Sequence, residues 1–487
     1  MEPENKSSVS IIKTEEYTAT VTVHATPVKG DDSDGTELQA ELPQYHTAPP
    51  WKLMWDDLLL FIRKFRLVPL IVLPLWYPRR RGADYPNLDT EWIPSFMAST
   101  TIINIVERIQ GVFQQFVDPM YPSGEMDELY PSVGNLICLT AHTVLIGTQL
   151  AFLMSLPLLA FFPLQIFLPY FIGFILINYM ACVPLNAGCK GGVLKSRPFR
   201  GTEKEHDDEL WLFVNGVSVG THWLQGNLDR LSRTFHREIV GCHNETAGIV
   251  FDIIQCLIER CFYYGTSDTR ACYAIIAAAL ADHKKKRVIL ILHSQGGLEG
   301  SLILDWLLSH SSRENLKKLE IYTFGNAANH LNNPEMEKGV RAVNRIEHFA
   351  NSGDFVESWG VTYFVDKMMG LPRGDYEFFG RVLKDRSHTP KRQYSFQGTR
   401  FLLKDKWGHL LNQHYLDRIL PLNHTLTAVE EVDSHDGLKH RKYLDEKRTM
   451  GRLLSHEDHL KIRNESRLWQ YINGRVPDDD PRTNGIH

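Results

Sequence analysis

The run Arg287-Val288-Ile289-Leu290-Ile291-Leu292-His293-Ser294-Gln295-Gly296-Gly297 constrains this chain more than any other stretch. Five apolar, partly β-branched residues after a basic segment predict a buried strand. The strand runs into a serine followed by Gln and two glycines, and Leu298 to Leu308 then carries the apolar spacing of a buried helix. Strand, serine, tight turn and helix is the setting of a nucleophile elbow. The turn lifts the hydroxyl clear of the sheet, and the glycines let helix and strand approach closely. Leu292 departs from the G-x-S-x-G pattern, since it stands where the first glycine is expected. The plainer alternative is a βα turn with a polar residue in it.

After Cys189 the composition turns to that of a globular domain. Leu210 to Val214 predicts a strand ending at Asn215-Gly216, and Gly248 to Ala281 predicts helices rich in Ile, Leu and Ala. Further strands are predicted at Leu319 to Phe324, Val343 to Ala350 and Phe401 to Leu403. Strands alternating with helices at this spacing imply a mostly parallel sheet covered on both faces. The domain is expected over 190–424, with a charged, helical and peripheral appendage over 425–487.

A serine hydroxyl needs a base, and the base needs an orienting acid; in parallel-sheet enzymes they follow in the order Ser, acid, His. Asp354 lies sixty residues after Ser294, directly past a predicted strand, although an Asp after Ser-Gly also serves as a turn or helix cap. Two histidines are candidates for the base. His409 follows Gly408 in a loop after a late strand and is the preferred one, and His414 on the following helix is the alternative. An oxyanion needs two backbone N–H donors. Gln295 at the start of the elbow helix and Val217 in the loop Asn215 to Thr221 are the expected pair. His222 is read as structural, and His293 as packing or donating a hydrogen bond.

The second constraint is electrostatic. From Leu129 to Cys189 the chain has no Asp, Glu, Lys or Arg. About sixty uncharged residues exceed the ~20 that one membrane-spanning helix requires. Pro157 to Pro163 divide the run into two expected spans, about 136–156 and 164–183, within a hairpin over 129–189. A re-entrant hairpin dipping into one leaflet and a buried hairpin of a soluble core are the alternatives. Arg79 to Arg81 before it and Lys190, Lys195, Arg197 and Arg200 after it put both ends on the cytoplasmic side. Over 51–128 the proline-rich stretch Leu67 to Trp76, near Trp51 and Trp55, reads as an interfacial segment or as a cover packed on the domain, and 90–128 as helical. Residues 1–50 are polar and acidic, carry no signal-peptide pattern and are expected to be disordered.

The strand-His293-Ser294-Gln295-Gly296-Gly297-helix unit, the Thr323-Phe324-Gly325-Asn326 strand end, Asn351 to Asp354 and Gly408-His409 together resemble the α/β-hydrolase superfamily. Within it the similarity is to lipase-like serine esterases, including membrane-associated fungal members. The resemblance covers about 205–420. It implies ester hydrolysis by a Ser294, Asp354 and His409 triad without cofactor.

The formal charge of −5 gives no pull toward nucleic acid. Seven scattered cysteines without a C-x-x-C pair argue against a disulfide framework and a zinc site, and suit a reducing compartment. The expectation is therefore an intracellular, membrane-embedded hydrolase with a lipid or other ester as substrate and no metal. An inactive hydrolase-fold interaction protein, and an acyltransferase or thioesterase with the same residues, remain alternatives.

Overall fold

Alternation of apolar side chains along the strands builds the centre of the molecule. In β2 (Glu209–Val214), Leu210, Leu212 and Val214 face one side of the sheet, and Trp211 and Phe213 face the other. In β4 (Arg287–His293), Val288, Leu290 and Leu292 oppose Ile289 and Ile291 in the same way. Strands buried on both faces are what a mostly parallel sheet requires. The computed structural model describes residues 11–14, 17–20, 49–75, 117, 120–189, 191–199, 206–337, 340–369, 396–423, 425–430 and 462–477.

The sheet has seven strands, completed by β1 (Val193–Lys195), β3 (Ile239–Cys242), β5 (Leu319–Phe324), β6 (Arg345–Asn351) and β7 (Thr399–Leu403). Their order is β7-β6-β5-β4-β2-β3-β1, parallel throughout except where β1 runs antiparallel to β3. The five strands read from the sequence are present. The short β1 and β3 carry too few residues for a period to show.

Helix α4 (Thr221–Phe235) covers one face through Leu224, Leu228, Leu231 and Phe235. On the other face lie α6 (Ser267–Ala281) and α7 (Gln295–His310), with Ile276, Leu280, Ile303, Leu304 and Leu307 in the core. Outside them, α5 (Ile249–Phe262) packs against both α7 and α1 (Pro50–Lys64). The covering alternative thus describes residues 50–71: Leu60, Phe61, Leu67, Val68 and Ile71 lie against the domain. Asp57 of α1 is paired with the buried Arg260 of α5 at 3.0 Å, and the Arg260 guanidinium lies 3.9 Å over the Trp359 ring.

Two helices, α2 (Val133–Leu159) and α3 (Leu164–Asn186), are long and apolar enough to cross a membrane. They bracket the expected spans and extend the first at both ends.

Two expectations are corrected. Residues 462–477 are no peripheral appendage: Ile462, Leu468, Trp469, Tyr471 and Ile472 are buried in the face beside Trp211 and Phe235. Tyr471 meets Trp211 edge to face at 5.1 Å and donates to Glu320 at 3.0 Å, while Arg467 pairs with Glu320 at 2.8 Å. The charged composition concealed a segment whose few apolar residues finish the core. Within 1–50, Ile11–Thr14 pairs antiparallel with Tyr17–Thr20, as segments rich in β-branched residues favour. Residues 76–116, 370–395 and 431–461 lie outside the described residues, so the helix expected from about 90 is not described over most of its length.

Tyr471→Ala is expected to cost about 3–5 kcal/mol, as deletion of a large buried aromatic does. Urea denaturation measures it, and a cost near zero would return this segment to the periphery.

Candidate active site

The carboxyl ends of β2, β4, β5, β6 and β7 lie along one side of the sheet, where parallel-sheet proteins gather their functional groups. Ser294 stands directly after β4 with φ 58° and ψ −120°. Such a backbone costs a non-glycine residue about 1–3 kcal/mol and persists only where its surroundings over-determine it. Here they do. Ser294 N–H donates to the Phe324 carbonyl at 3.1 Å, and the Ser294 carbonyl accepts from Gly297 at 3.0 Å and Ala327 at 3.1 Å.

The turn demands glycines, and the structure says where. A Cβ at Gly296 would lie 2.3 Å from the Val214 carbonyl oxygen, and one at Gly297 would lie 2.3 Å from Asn326 Oδ1. The departure at Leu292 is compensated one helical turn away. A Cβ at Gly300 would sit 2.3 Å from Leu292 Cδ1, so the leucine fills room that Gly300 leaves on α7. The glycine missing from the strand is supplied by the helix that packs on it. Sequence reasoning held both residues and lacked only their contact.

Asp354 is buried and combines both roles weighed for it. Its Oδ1 caps α8 (Phe355–Trp359) by accepting from Val356 N–H at 2.8 Å. Its Oδ2 accepts from His409 Nδ1 at 2.7 Å and from the Tyr415 hydroxyl at 2.6 Å. The Nδ1–H tautomer of His409 leaves Nε2 as its basic nitrogen, and this buried atom has no hydrogen-bond partner among the described residues. Gly325, at φ +54°, lets the pair close over the end of β5: a Cβ there would meet the His409 ring at 2.8 Å and Asp354 Oδ2 at 2.9 Å. Ser294 is tied by its N–H to Phe324, the residue before Gly325, so the serine turn and the Asp354–His409 pair both adjoin the end of β5, with no hydrogen bond between Ser294 Oγ and His409 Nε2.

His414 is committed elsewhere. Its Nδ1 accepts from Leu410 N–H at 3.1 Å and its Nε2 donates to the Pro74 carbonyl at 2.9 Å. Both His414 nitrogens are thus hydrogen-bonded, whereas His409 keeps Nε2 without a partner among the described residues. His293 stacks on the His409 ring at 4.7 Å and donates to the His409 carbonyl at 2.8 Å, the hydrogen-bonding role expected of it. His222 Nε2 lies 3.1 Å from Asn135 Oδ1.

Of the two expected oxyanion donors, Gln295 opens α7, where the first N–H groups have no partner within the helix. Its side chain donates to Glu259 at 3.1 Å, whose carboxyl burial raises to about 7. The loop of Val217 crosses the serine closely. A Cβ at Gly216 would stand 2.4 Å from Ser294 Cβ and 2.9 Å from its Oγ, so only glycine lets the 216–217 peptide pass there. Ser218, at φ 61°, is pinned by its N–H to Asp252 at 2.9 Å.

Tyr415 and two distant chain segments escaped sequence reasoning. Ile71 offers its carbonyl to His409 N–H at 2.8 Å, and Glu128 accepts from Asn412 N–H at 3.1 Å and Gln413 N–H at 3.3 Å. The loop carrying the histidine is thus held from outside the sheet domain. No sequence pattern announces a carbonyl contact across more than three hundred residues. Comparison of the chain with protein-family models, with curated proteins and with solved structures finds no match.

Gly300→Ala is expected to cost about 1–3 kcal/mol through overpacking. In a Leu292→Ala background, itself destabilised by about 2–5 kcal/mol through its cavity, Gly300→Ala should cost far less, and a double-mutant cycle with no coupling would separate the two residues. A second outcome concerns pH. Burial, helped by Arg418, holds the His414 imidazole well below its ordinary 6.5. The unfolded chain then gains a proton near pH 6.5 that the folded chain refuses. The contribution is whole above that pH and is lost as pH falls toward the folded value. Stability should drop from pH 7 to 5, and His414→Gln should remove part of the drop; an undiminished drop would clear His414 as a source.

Proposed function

We propose that this chain is a membrane-associated serine hydrolase that cleaves a carboxylic ester, with a lipid ester as its substrate class. One observation carries the reading: the bond from His409 Nδ1 to Asp354 leaves a buried Nε2 without a hydrogen-bond partner among the described residues, in a chain whose Ser294 stands on a positive-φ turn. The chain order Ser294, Asp354, His409 and the mostly parallel sheet support an α/β-hydrolase arrangement.

In this mechanism Ser294 Oγ attacks the ester carbonyl carbon while His409 Nε2 takes its proton. The N–H groups of Gln295 and Val217 stabilise the oxyanion. His409 returns the proton to the leaving alcohol, leaving an acyl ester on Ser294. Water, deprotonated by the same nitrogen, then attacks that ester and restores the serine. Asp354 keeps the imidazole in the Nδ1–H tautomer and stabilises its charged form. Tyr415 is a positioning residue: its phenol, which burial and the neighbouring Asp354 hold protonated well above the usual range, steers the carboxylate.

The lipid assignment rests on surroundings. Ser294 is only 2% exposed. Leu60, Phe61, Leu67, Val68 and Ile71 roof the region next to Val217, Ala327, Phe355 and Val356. An acyl chain matches such a roof, which has to shift to admit it. The hairpin's apolar surface supports membrane association. Seven free cysteines, and Asn244 buried where a glycan would have no room, support a cytoplasmic domain.

A fluorophosphonate probe tests the reading, because it labels only an activated serine. Labelling and hydrolysis of a fatty-acyl ester should both vanish in a folded Ser294→Ala variant. His409→Ala should lower turnover by about three orders of magnitude or more, and His414→Ala by far less. Tyr415→Phe loses a hydrogen bond to a charged group, about 1.5 kcal/mol, hence about tenfold in kcat with KM unchanged. Absence of labelling in folded wild-type protein would replace this reading with that of an inactive binding protein. Product analysis with added alcohols separates water from another acyl acceptor.

A further inference from the structure

We infer that the apolar hairpin enters one leaflet of a bilayer as a wedge and does not cross it. The inference rests on the membrane association proposed above and concerns only its geometry.

Asn135, Cys138, His142, Leu145, Gln149 and Phe152, spaced by three and four, form one stripe along α2 and are its buried residues. That stripe faces the α/β domain. Asn135 Oδ1 accepts from Trp223 Nε1 at 2.9 Å, and His142 stacks on the Trp223 ring at 5.4 Å. Gln149 donates to the Ala247 carbonyl at 2.7 Å and to Asn178 at 2.8 Å, and accepts from Val250 N–H at 3.2 Å. From α3, Asn178 donates to the same Ala247 carbonyl at 2.9 Å, and Asn186 donates to Thr246 at 2.9 Å. These amides bind backbone of the loop before α5. They are a clamp, and the clamp reaches to Phe152 and Phe174, which stack at 4.0 Å and both meet Phe251 of α5.

Lengths then decide. Beyond the clamp, Leu153–Leu159 extends about 10 Å and Leu164–Gly173 about 15 Å at 1.5 Å per residue. A hydrocarbon core is about 30 Å thick. For either helix to cross, α4 and α5 would have to enter the core beside it, carrying Asp229, Arg230 and Asp252 with them. Charged helices of a water-facing domain do not do so. The free tip matches about one leaflet. It is apolar on its open surface, with Met154, Leu158, Phe161, Phe162, Leu164 and Ile166 exposed and Phe161 90% so.

The apolar surface continues beside the clamp. Helix α5 touches both α2 and α1, and its outer stripe Ile254, Ile258 and Phe262 is exposed. On α1, Trp51 and Trp55 are exposed as well, the residue type that settles at a membrane interface. Hydrophobic length, absence of charge and this interfacial rim commit the wedge to lipid.

The test uses the full chain with Phe161→Cys and Cys189→Ser, labelled at position 161 with the fluorophore NBD and bound to sealed phosphatidylcholine vesicles. Dithionite, which destroys NBD and does not cross bilayers, is supplied outside or trapped inside. Protection from both sides until detergent is added is the expected result. Loss only to trapped dithionite would mean that the tip crosses, and would overturn the inference. Loss to outside dithionite on bound protein would show a tip lying in water or on another partner, and would overturn it too. Failure to bind vesicles at all would sink the membrane association itself. Because no step reads catalysis, the result is independent of whether Ser294 is active.

Discussion

The rest of the structure depends on how closely α7 lies against β4. At Gly296 the helix backbone nearly touches the end of β2, and at Gly297 it nearly touches Asn326. This approach forces the chain to reverse within one residue, and that residue, Ser294, is left with a positive φ and three backbone hydrogen bonds. A side chain at either glycine would push the helix outward and relax the turn. The turn geometry of Ser294 that the proposed chemistry needs is thus a by-product of packing. It is stored as backbone strain and held by the neighbouring strand.

The histidine side of the site is built differently. Its loop has little regular structure and takes its position from contacts made far away in sequence. His409 is held through its N–H by Ile71, through its carbonyl by His293 and through its ring by Asp354. Gln413 and His414 reach Pro74, and Glu128 gathers Asn412 and Gln413. The segment around Ile71 to Leu75 and the segment that leads into the apolar hairpin therefore both touch the loop of His409. In the proposed reading, the membrane-facing parts and the reacting nitrogen share one hydrogen-bonded network.

Much of this was legible in the residues. The two-sided apolar strands, the elbow, the order Ser294, Asp354, His409 and the uncharged hairpin are local or periodic signals, which need only neighbours in the chain. The C-terminal stretch was misread because its charged surroundings hide the few side chains, Leu468, Trp469 and Tyr471 among them, that close a face of the sheet. Leu292 looked like a defect for a related reason: its compensation, Gly300, lies in the next element and means nothing until helix and strand are docked.

By itself the sequence determined most of the strands and helices, which side chains could react, and that some sixty residues would carry no charge. Those properties follow from composition and period. Tertiary structure alone decided that His409 and not His414 keeps a nitrogen uncommitted, that Tyr415 joins Asp354, and that the hairpin's buried stripe is clamped to the domain. The physical reason is the same in each case. Hydrogen-bond satisfaction and van der Waals exclusion act between atoms brought together by folding, and partners separated by scores or hundreds of residues leave no trace in the pattern of either one.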